Sequence, residues 1–416
     1  MSSLFLRDEN PGRPKILFVG LGESTHTHAW IDLLEGAPFN VRLFAMPSAA
    51  PPAGWNVKTY VTSYFHDGLN PATRLALHPS NRLLRAARTR LARATGVNLT
   101  GMVERWLAEI VRGWRPDIIH TFGLEAAGEY FYDVRRKFKL EAVGKWVLQI
   151  RGGSDIALAR LDPARAPRIA EVASACDQLL CDNPENFRIL GELGVPVEKF
   201  AKIGAVPGTG GIDIETISAR WQGATSERRT VVWPKAYEVA WAKVLPVYEA
   251  IKIAWERIQP CEFELLSMNP EARDWFWTLP ANVRERCRAH ERIPRERVLE
   301  LMTGARVMLA PSLVDGVPNS LYEAMAAGAF PIVSPLDTIS AVVEEERNVL
   351  FARNLYPEEI AASLVRAMTD DALVDRAARE NLALVRRIAD RRDVRARVID
   401  FYNGLAAEFE LTRAMP

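Results

Sequence analysis

The stretch VMLAPSLVDGVPNSLYEAMAAGAFPIVSP, residues 307–335, reads as strand, loop, helix and strand in turn. VMLAPS (307–312) is an apolar run with no alternation, the pattern of a strand buried on both faces of a parallel sheet. A helix is expected from near Ser320, because Ser320 and Glu323 have capping-box spacing. Gly328 suits the left-handed residue that ends such a helix, and PIVSP (331–335) returns as the next strand. Asp315 follows the first strand by three residues and should sit at its carboxyl end, eight positions before Glu323. Two readings of this acid pair stand side by side. Asp315 can be a turn residue and Glu323 a helix cap. Alternatively, a strand-end acid beside a glycine loop and a helix N-terminus makes a ligand site, with free N–H groups for an anion and carboxylates for sugar hydroxyls.

The same alternation extends outward in both directions. ILFVG (16–20), VRLFAM (41–46), VKTYV (57–61), IIHTF (118–122), WVLQI (146–150) and QLLCD (178–182) read as strands separated by helical patterns. VPGTGGID (206–213) interrupts them as a hinge. TVVWP (230–234), FELLS (263–267) and the opening stretch resume the pattern, and from about 356 the chain reads as helix. The fold class expected is α/β, with two Rossmann-like doubly wound domains facing a central cleft. The boundaries expected are 1–207 for an acceptor-side domain, 208–390 for a nucleotide-sugar domain, and 391–416 for a helix returning to the first domain.

Bulk composition excludes several classes. The 416 residues carry 48% hydrophobic and 25% charged side chains and a formal net charge of +1, so no global field marks nucleic acid as a partner. The four cysteines form no CxxC pair and no zinc-like cluster with histidine, and read as thiols of a reducing compartment. Arg7, Asp8 and Glu9 stand where a signal peptide needs an apolar core, and no apolar run is long enough to span a bilayer. A cytoplasmic protein is expected, with peripheral contact at the inner face of a membrane left open.

The 315–335 stretch resembles the acid-x7-acid signature of the retaining glycosyltransferases of family four, which have the GT-B fold and use nucleotide-diphosphate sugars. VVEEERNVLF (342–351) resembles the segment that follows it. The resemblance is specific over about 305–351 and fainter back to residue 15. It implies that Asp315 holds hydroxyls of the donor sugar and Glu323 those of the nucleotide ribose. It implies that the backbone of Gly316, Val317, Pro318, Asn319, Ser320 and Leu321 approaches the sugar and diphosphate. Lys235 and Lys243 stand, at a wider spacing, where the family has an arginine and a lysine on the diphosphate. His120, at the end of IIHTF, would contact the donor sugar, and Gly22 in ILFVGLGEST would face the diphosphate. Arg292 and Ile293 in RIPRERV fall where the base is read, and Arg151, Ser154 and Asp155 in RGGSD fall on the acceptor side.

Each of these residues also has an ordinary structural reading: surface lysines, a buried histidine, a tight glycine turn, an aspartate cap. VGLGEST has Thr25 where a dinucleotide fingerprint has its third glycine, and no acid ends the next strand, which argues against a nicotinamide enzyme. RLLRAARTRLARATG (82–96) holds Arg82, Arg85, Arg88, Arg90 and Arg93 and no acid. It is a candidate membrane-surface helix, or a solvated arginine face.

The reading adopted is a metal-independent retaining glycosyltransferase. It needs no cofactor beyond the nucleotide sugar and takes a hydroxyl acceptor, for which a lipid-linked or cell-surface polysaccharide precursor is one candidate. A nucleotide-sugar epimerase of the same architecture and a non-catalytic nucleotide-sugar-binding protein remain as alternatives.

Overall fold

The computed structural model describes residues 3–46, 51–52, 54–61, 74–78, 84, 87, 90, 100–152 and 154–414. The basic segment 82–96 lies outside the described residues apart from Leu84, Ala87 and Arg90.

The chain forms two lobes, each built on a wholly parallel sheet. The first sheet contains β1 (Lys15–Gly20), β2 (Asn40–Ala45), β3 (Lys58–Val61), β4 (Leu75–Leu77), β5 (Ile118–Phe122), β6 (Lys145–Ile150) and β7 (Gln178–Cys181), in the order β4-β3-β2-β1-β5-β6-β7. The second contains β8 (Thr230–Trp233), β9 (Glu262–Leu265), β10 (Cys287–Ala289), β11 (Ala305–Ala310), β12 (Phe330–Val333) and β13 (Leu350–Phe351), in the order β10-β9-β8-β11-β12-β13. The fold class expected from the sequence is the one observed.

Unbroken apolar runs form these strands because both faces of each sheet are covered. In β1, Leu17 and Val19 join the core on one face, while Ile16 and Phe18 join the core on the other. In the second sheet, Val307 and Leu309 of β11 face one core and Met308 and Ala310 the other. Cys176, Cys181 and Cys261 are buried free thiols, and Cys287 is half-buried.

The strand order reverses between β1 and β5 in one sheet and between β8 and β11 in the other. Crevices open at the carboxyl ends of strands at such points. The lobes are joined where the chain crosses twice. Ile212 donates to Ala389 O (2.9 Å) and Arg391 N–H donates to Ile212 O (3.0 Å), so the two crossings hold each other. Gly211 has φ +79°, and a Cβ there would stand 2.5 Å from Ala389 O, so only glycine fits.

The last helix, Arg391–Ala414, lays Val394, Val398, Tyr402, Leu405 and Ala406 into the first lobe's core. That spacing of four, four, three and one is a single helical stripe.

Candidate functional site

Two adjoining crevices separate the lobes. The larger, about 680 Å³, lies between Phe122 and Arg151 of the first lobe and Lys235 and Asp315 of the second. The smaller, about 540 Å³, reaches toward the double crossing past Arg295 and Arg391. His26 and Asn319 belong to the walls of both.

Asp315 and Lys235 come together from neighbouring strand ends. β8 and β11 are paired, so the loops leaving them emerge side by side. The Lys235 ammonium donates to Asp315 Oδ2, and both side chains are about three-quarters covered. Asp315 is fixed from behind: its backbone carbonyl accepts from Thr338 Oγ1 (2.8 Å), and its Oδ1 accepts from Gly316 N–H (3.0 Å).

The helix after this loop starts at Asn319 and runs to Ala327, with Pro318 as its N-cap. The capping box expected at Ser320 and Glu323 does not form. Proline at the cap offers no side-chain acceptor, and the Glu323 carboxylate turns instead to Arg295, whose Nη2 donates to Oε1 at 2.7 Å. Burial raises the Glu323 pKa, and Arg295 opposes that rise. The helix's first turn lines the larger crevice through Pro318, Asn319 and Ser320, so its positive end faces the space beside Lys235. Leu321 does not contribute there. Its side chain is in the core, and its N–H donates to Pro318 O (2.9 Å).

On the first lobe, the Arg151 guanidinium lies 4.2 Å over the Phe122 ring and donates through Nε and Nη2 to Gln149 Oε1. Burial lowers its pKa to about 10, and Asp182 and Asp155 oppose that shift. Asp155 is a bracket: its carboxylate accepts the N–H groups of Leu124 (2.8 Å), Glu125 (3.2 Å) and Arg151 (3.0 Å). It thereby caps the turn Gly123–Gly128 that follows β5. Ser154 belongs to the same loop, and its side chain lies outside the described residues.

The sequence reading passed over Asp182. It directly follows β7, is 7% exposed, and burial raises its pKa to about 6. Its Oδ2 accepts from Gly152 N–H (2.7 Å), and its Oδ1 accepts from the amides of Asn183 (2.6 Å) and Asn186 (3.1 Å). A Cβ built on Gly316 of the other lobe would stand 2.5 Å from Gly152 Cα and 3.1 Å from Asp182 Oδ2. The lobes therefore meet backbone to backbone at Gly152 and Gly316. QLLCD did carry the signal, since an acid directly after a buried run is a strand-end acid.

Five expectations need correction. His120 is fully buried inside β5, and Phe122, two residues on along the same face, is the residue that reaches the crevice. Tyr402 accepts from Trp30 Nε1 (3.0 Å), and its hydroxyl shares a hydrogen bond with His120 Nδ1 (2.6 Å). Burial holds the His120 pKa well below the usual value, so the ring is a neutral part of the core. Lys243 turns away from the crevice to Glu238 (2.7 Å), whose other oxygen accepts from Val244 N–H at the start of the helix Leu245–Ala254. Gly22 is buried, and its carbonyl accepts from His28 Nε2 (2.6 Å); Leu21 and Ser24 line the crevice instead. Arg292 is exposed and Ile293 packs on the core, while Arg295, which opens the helix Arg295–Thr303, borders the smaller crevice. Leu321, as above, is the fifth.

Among the described residues, no helix is long and apolar enough to cross a membrane, and no group of three or more His, Cys, Asp and Glu residues is arranged to hold a metal ion.

Residues 229–370, most of the second lobe, match the family model described as Glycosyl transferases group 1. No curated protein sequence matches the chain. Among solved structures, HepE of Anabaena in complex with UDP-glucose is similar with a TM-score of 0.66 at 12% identity, over 94% of this chain and 99% of that one. Sucrose-phosphate synthase from Thermosynechococcus elongatus gives 0.67 at 14% identity, over 95% and 100%. A protein assigned as UDP-N-acetylglucosamine 2-epimerase from Listeria monocytogenes gives 0.56 at 10% identity, over 88% and 91%. At these identities the likeness concerns the fold, which is the two-lobed GT-B arrangement in all of them. Because a sucrose-phosphate synthase and a protein assigned as an epimerase share it, the choice of function falls to the side chains in the cleft.

Proposed function

We propose that the chain is a retaining glycosyltransferase that moves a sugar from a nucleotide-diphosphate sugar to an acceptor hydroxyl. The observation that carries this reading is the Asp315–Lys235 pair. It stands at the switch point of the second sheet, beside a helix N-terminus, inside the stretch that matches the glycosyltransferase model. The chemistry divides along the cleft. Asp315 can accept from sugar hydroxyls. Lys235 and the first turn of Asn319–Ala327 present positive charge to a diphosphate. Arg295, at the smaller crevice, and Glu323, which pairs with it, suit a base and ribose. The acceptor comes from the side of Arg151, Asp155 and Asp182.

In the reaction, the bond from the anomeric carbon to the β-phosphate oxygen breaks and its electron pair stays on that oxygen. The acceptor oxygen bonds to the carbon from the same face, and its proton passes to the departing diphosphate. Charge grows on the diphosphate as the bond breaks, so Lys235 and the helix N-terminus bind the transition state more tightly than the ground state. Lys235 must exchange Asp315 for the diphosphate when donor enters, which frees Asp315 for the sugar. These cations allow the step to run without a metal, and activity in the presence of EDTA is expected.

The test is transfer itself. Candidate nucleotide sugars and acceptors are incubated with wild type, Asp315→Ala and Lys235→Ala, and the product's anomeric configuration is read by NMR. Retention, with loss of about 100-fold or more in each variant, is the expected result. Unchanged transfer in both variants would show that the chemistry lies elsewhere, and an epimerised donor without any acceptor product would select the epimerase alternative.

A further inference from the structure

We propose that His26 is a proton-linked clamp on the donor diphosphate: it takes up a proton when a nucleoside diphosphate binds and holds it as an imidazolium. The inference rests on the nucleotide-sugar reading above and adds a residue that neither the signature nor the family match covers. His26 sits in the first turn of the helix Thr25–Ile31, directly after the glycine loop that leaves β1. If the sugar lies at Asp315 and the nucleoside at Glu323 and Arg295, the diphosphate between them has to pass the join of the two crevices. His26 and Asn319 are the residues that line both, and His26 is the one supplied by the first lobe.

Other described histidines have partners. His28 donates to Gly22 O, His120 meets Tyr402, and His290 pairs with Glu264. No described residue hydrogen-bonds the His26 ring, so a ligand is free to take it. The charged groups facing it come from both lobes: Arg151 from the end of β6, and Lys235 and Asp315 from the second lobe. Asp32, Asp213, Arg295 and Arg391 line the adjoining crevice. His26 is exposed to the cleft space; without ligand, desolvation by the cleft walls lowers its pKa, Arg151 and Lys235 lower it further, and Asp315 opposes them. The ring is then neutral at pH 7.

A diphosphate reverses that balance. Its charge engages Lys235 and favours the protonated ring, and a charge-assisted hydrogen bond from N–H⁺ to phosphate oxygen is stronger than a neutral one. The bound-state pKa is therefore above the free-state pKa. Between the two, binding takes up a proton, and affinity falls as pH rises through the bound-state value. The imidazolium contact strengthens further as the diphosphate gains charge on leaving.

Calorimetry tests this with UDP, GDP and ADP, each titrated at pH 7.0 in two buffers of different ionisation enthalpy. The expected result is uptake of about half a proton or more by wild type with the nucleotide that binds. In His26→Gln, uptake is nearly absent, and affinity falls about 10-fold at pH 6.5 but little at pH 8.5. Binding without uptake, or uptake unchanged in His26→Gln, overturns the inference and leaves the nucleotide-sugar reading intact. Failure of all three nucleotides to bind overturns both. NMR of wild type needs no variant: of the six histidines, one ring should gain a unit or more of pKa on saturation with the nucleotide. No such ring would overturn the inference as well.

Discussion

Gly316→Ala puts one methyl group into the seam between the lobes. The added Cβ would lie 2.5 Å from Gly152 Cα, 3.2 Å from Gly152 C and 3.1 Å from Asp182 Oδ2. Two of these neighbours are backbone atoms, so no rotamer change relieves the contact. Gly316 itself has a φ open to any residue, so the strain comes from what the methyl meets. To reach 3.4 Å, where ordinary contact begins, the seam must open by about 0.9 Å. Asp315 is the preceding residue, and Arg151 precedes Gly152, so the two sides of the site move apart with the seam. A misplacement of about 1 Å costs on the order of 100-fold in rate when groups must be aligned for reaction. Steady-state transfer kinetics on Gly316→Ala should therefore show kcat/KM down by about 100-fold. Nucleoside diphosphate affinity, to which the first lobe adds the His26 contact, should fall by no more than about 10-fold, roughly 1.4 kcal/mol. Transfer within about 3-fold of wild type would refute the reasoning, because it would mean that the seam is not closed in the reacting state.

Three further outcomes follow from the buried polar groups. Tyr402→Phe removes the acceptor of Trp30 Nε1 and the partner of His120 Nδ1, and should destabilise the first lobe by about 2 kcal/mol in urea unfolding, with the second lobe's transition unchanged. Asp182 has a pKa raised to about 6 against an ordinary 3.8, so its contribution to stability is fully present below pH 4 and is lost as pH rises through 6. Asp182→Asn should remove that loss, so the urea midpoint of its first lobe, measured against wild type, should rise between pH 4.5 and 7.5 by the equivalent of about 2 kcal/mol. Glu323→Gln leaves Arg295 without its carboxylate and a ribose without its acceptor; nucleoside diphosphate affinity measured by calorimetry should fall about 10-fold or more, while affinity for inorganic pyrophosphate stays the same.

The sequence made the double sheet legible because strands buried on both faces are continuous apolar runs, and every such run named from it lies on one of the two sheets. The short edge strands β4, β10 and β13 were not legible: two or three residues carry no period, and they are strands only because a neighbour pairs with them. The opening stretch gave Asp315 its strand-end position and gave Gly328 its left-handed helix end. It left two readings of Glu323 open, a helix cap and a ligand group, and the capping box is not formed: the carboxylate pairs with Arg295, which only the lobe's folding brings near. His120 failed for a simpler reason. A strand alternates faces and keeps every second residue on one, so His120 and Phe122 point alike, but only the last of them clears the sheet. Asp182, Gly152 and Gly316 are separated in the chain and meet only when the lobes do, which no single stretch of sequence can announce.

Diffraction from the protein soaked with the nucleotide sugar that binds it tests the central claim most directly. The account predicts the diphosphate against the first turn of Asn319–Ala327, with Lys235 released from Asp315 and turned toward it, the sugar hydroxyls on Asp315, and the ribose near Glu323. A nucleotide bound elsewhere, with the Asp315–Lys235 ion pair unbroken, would contradict it.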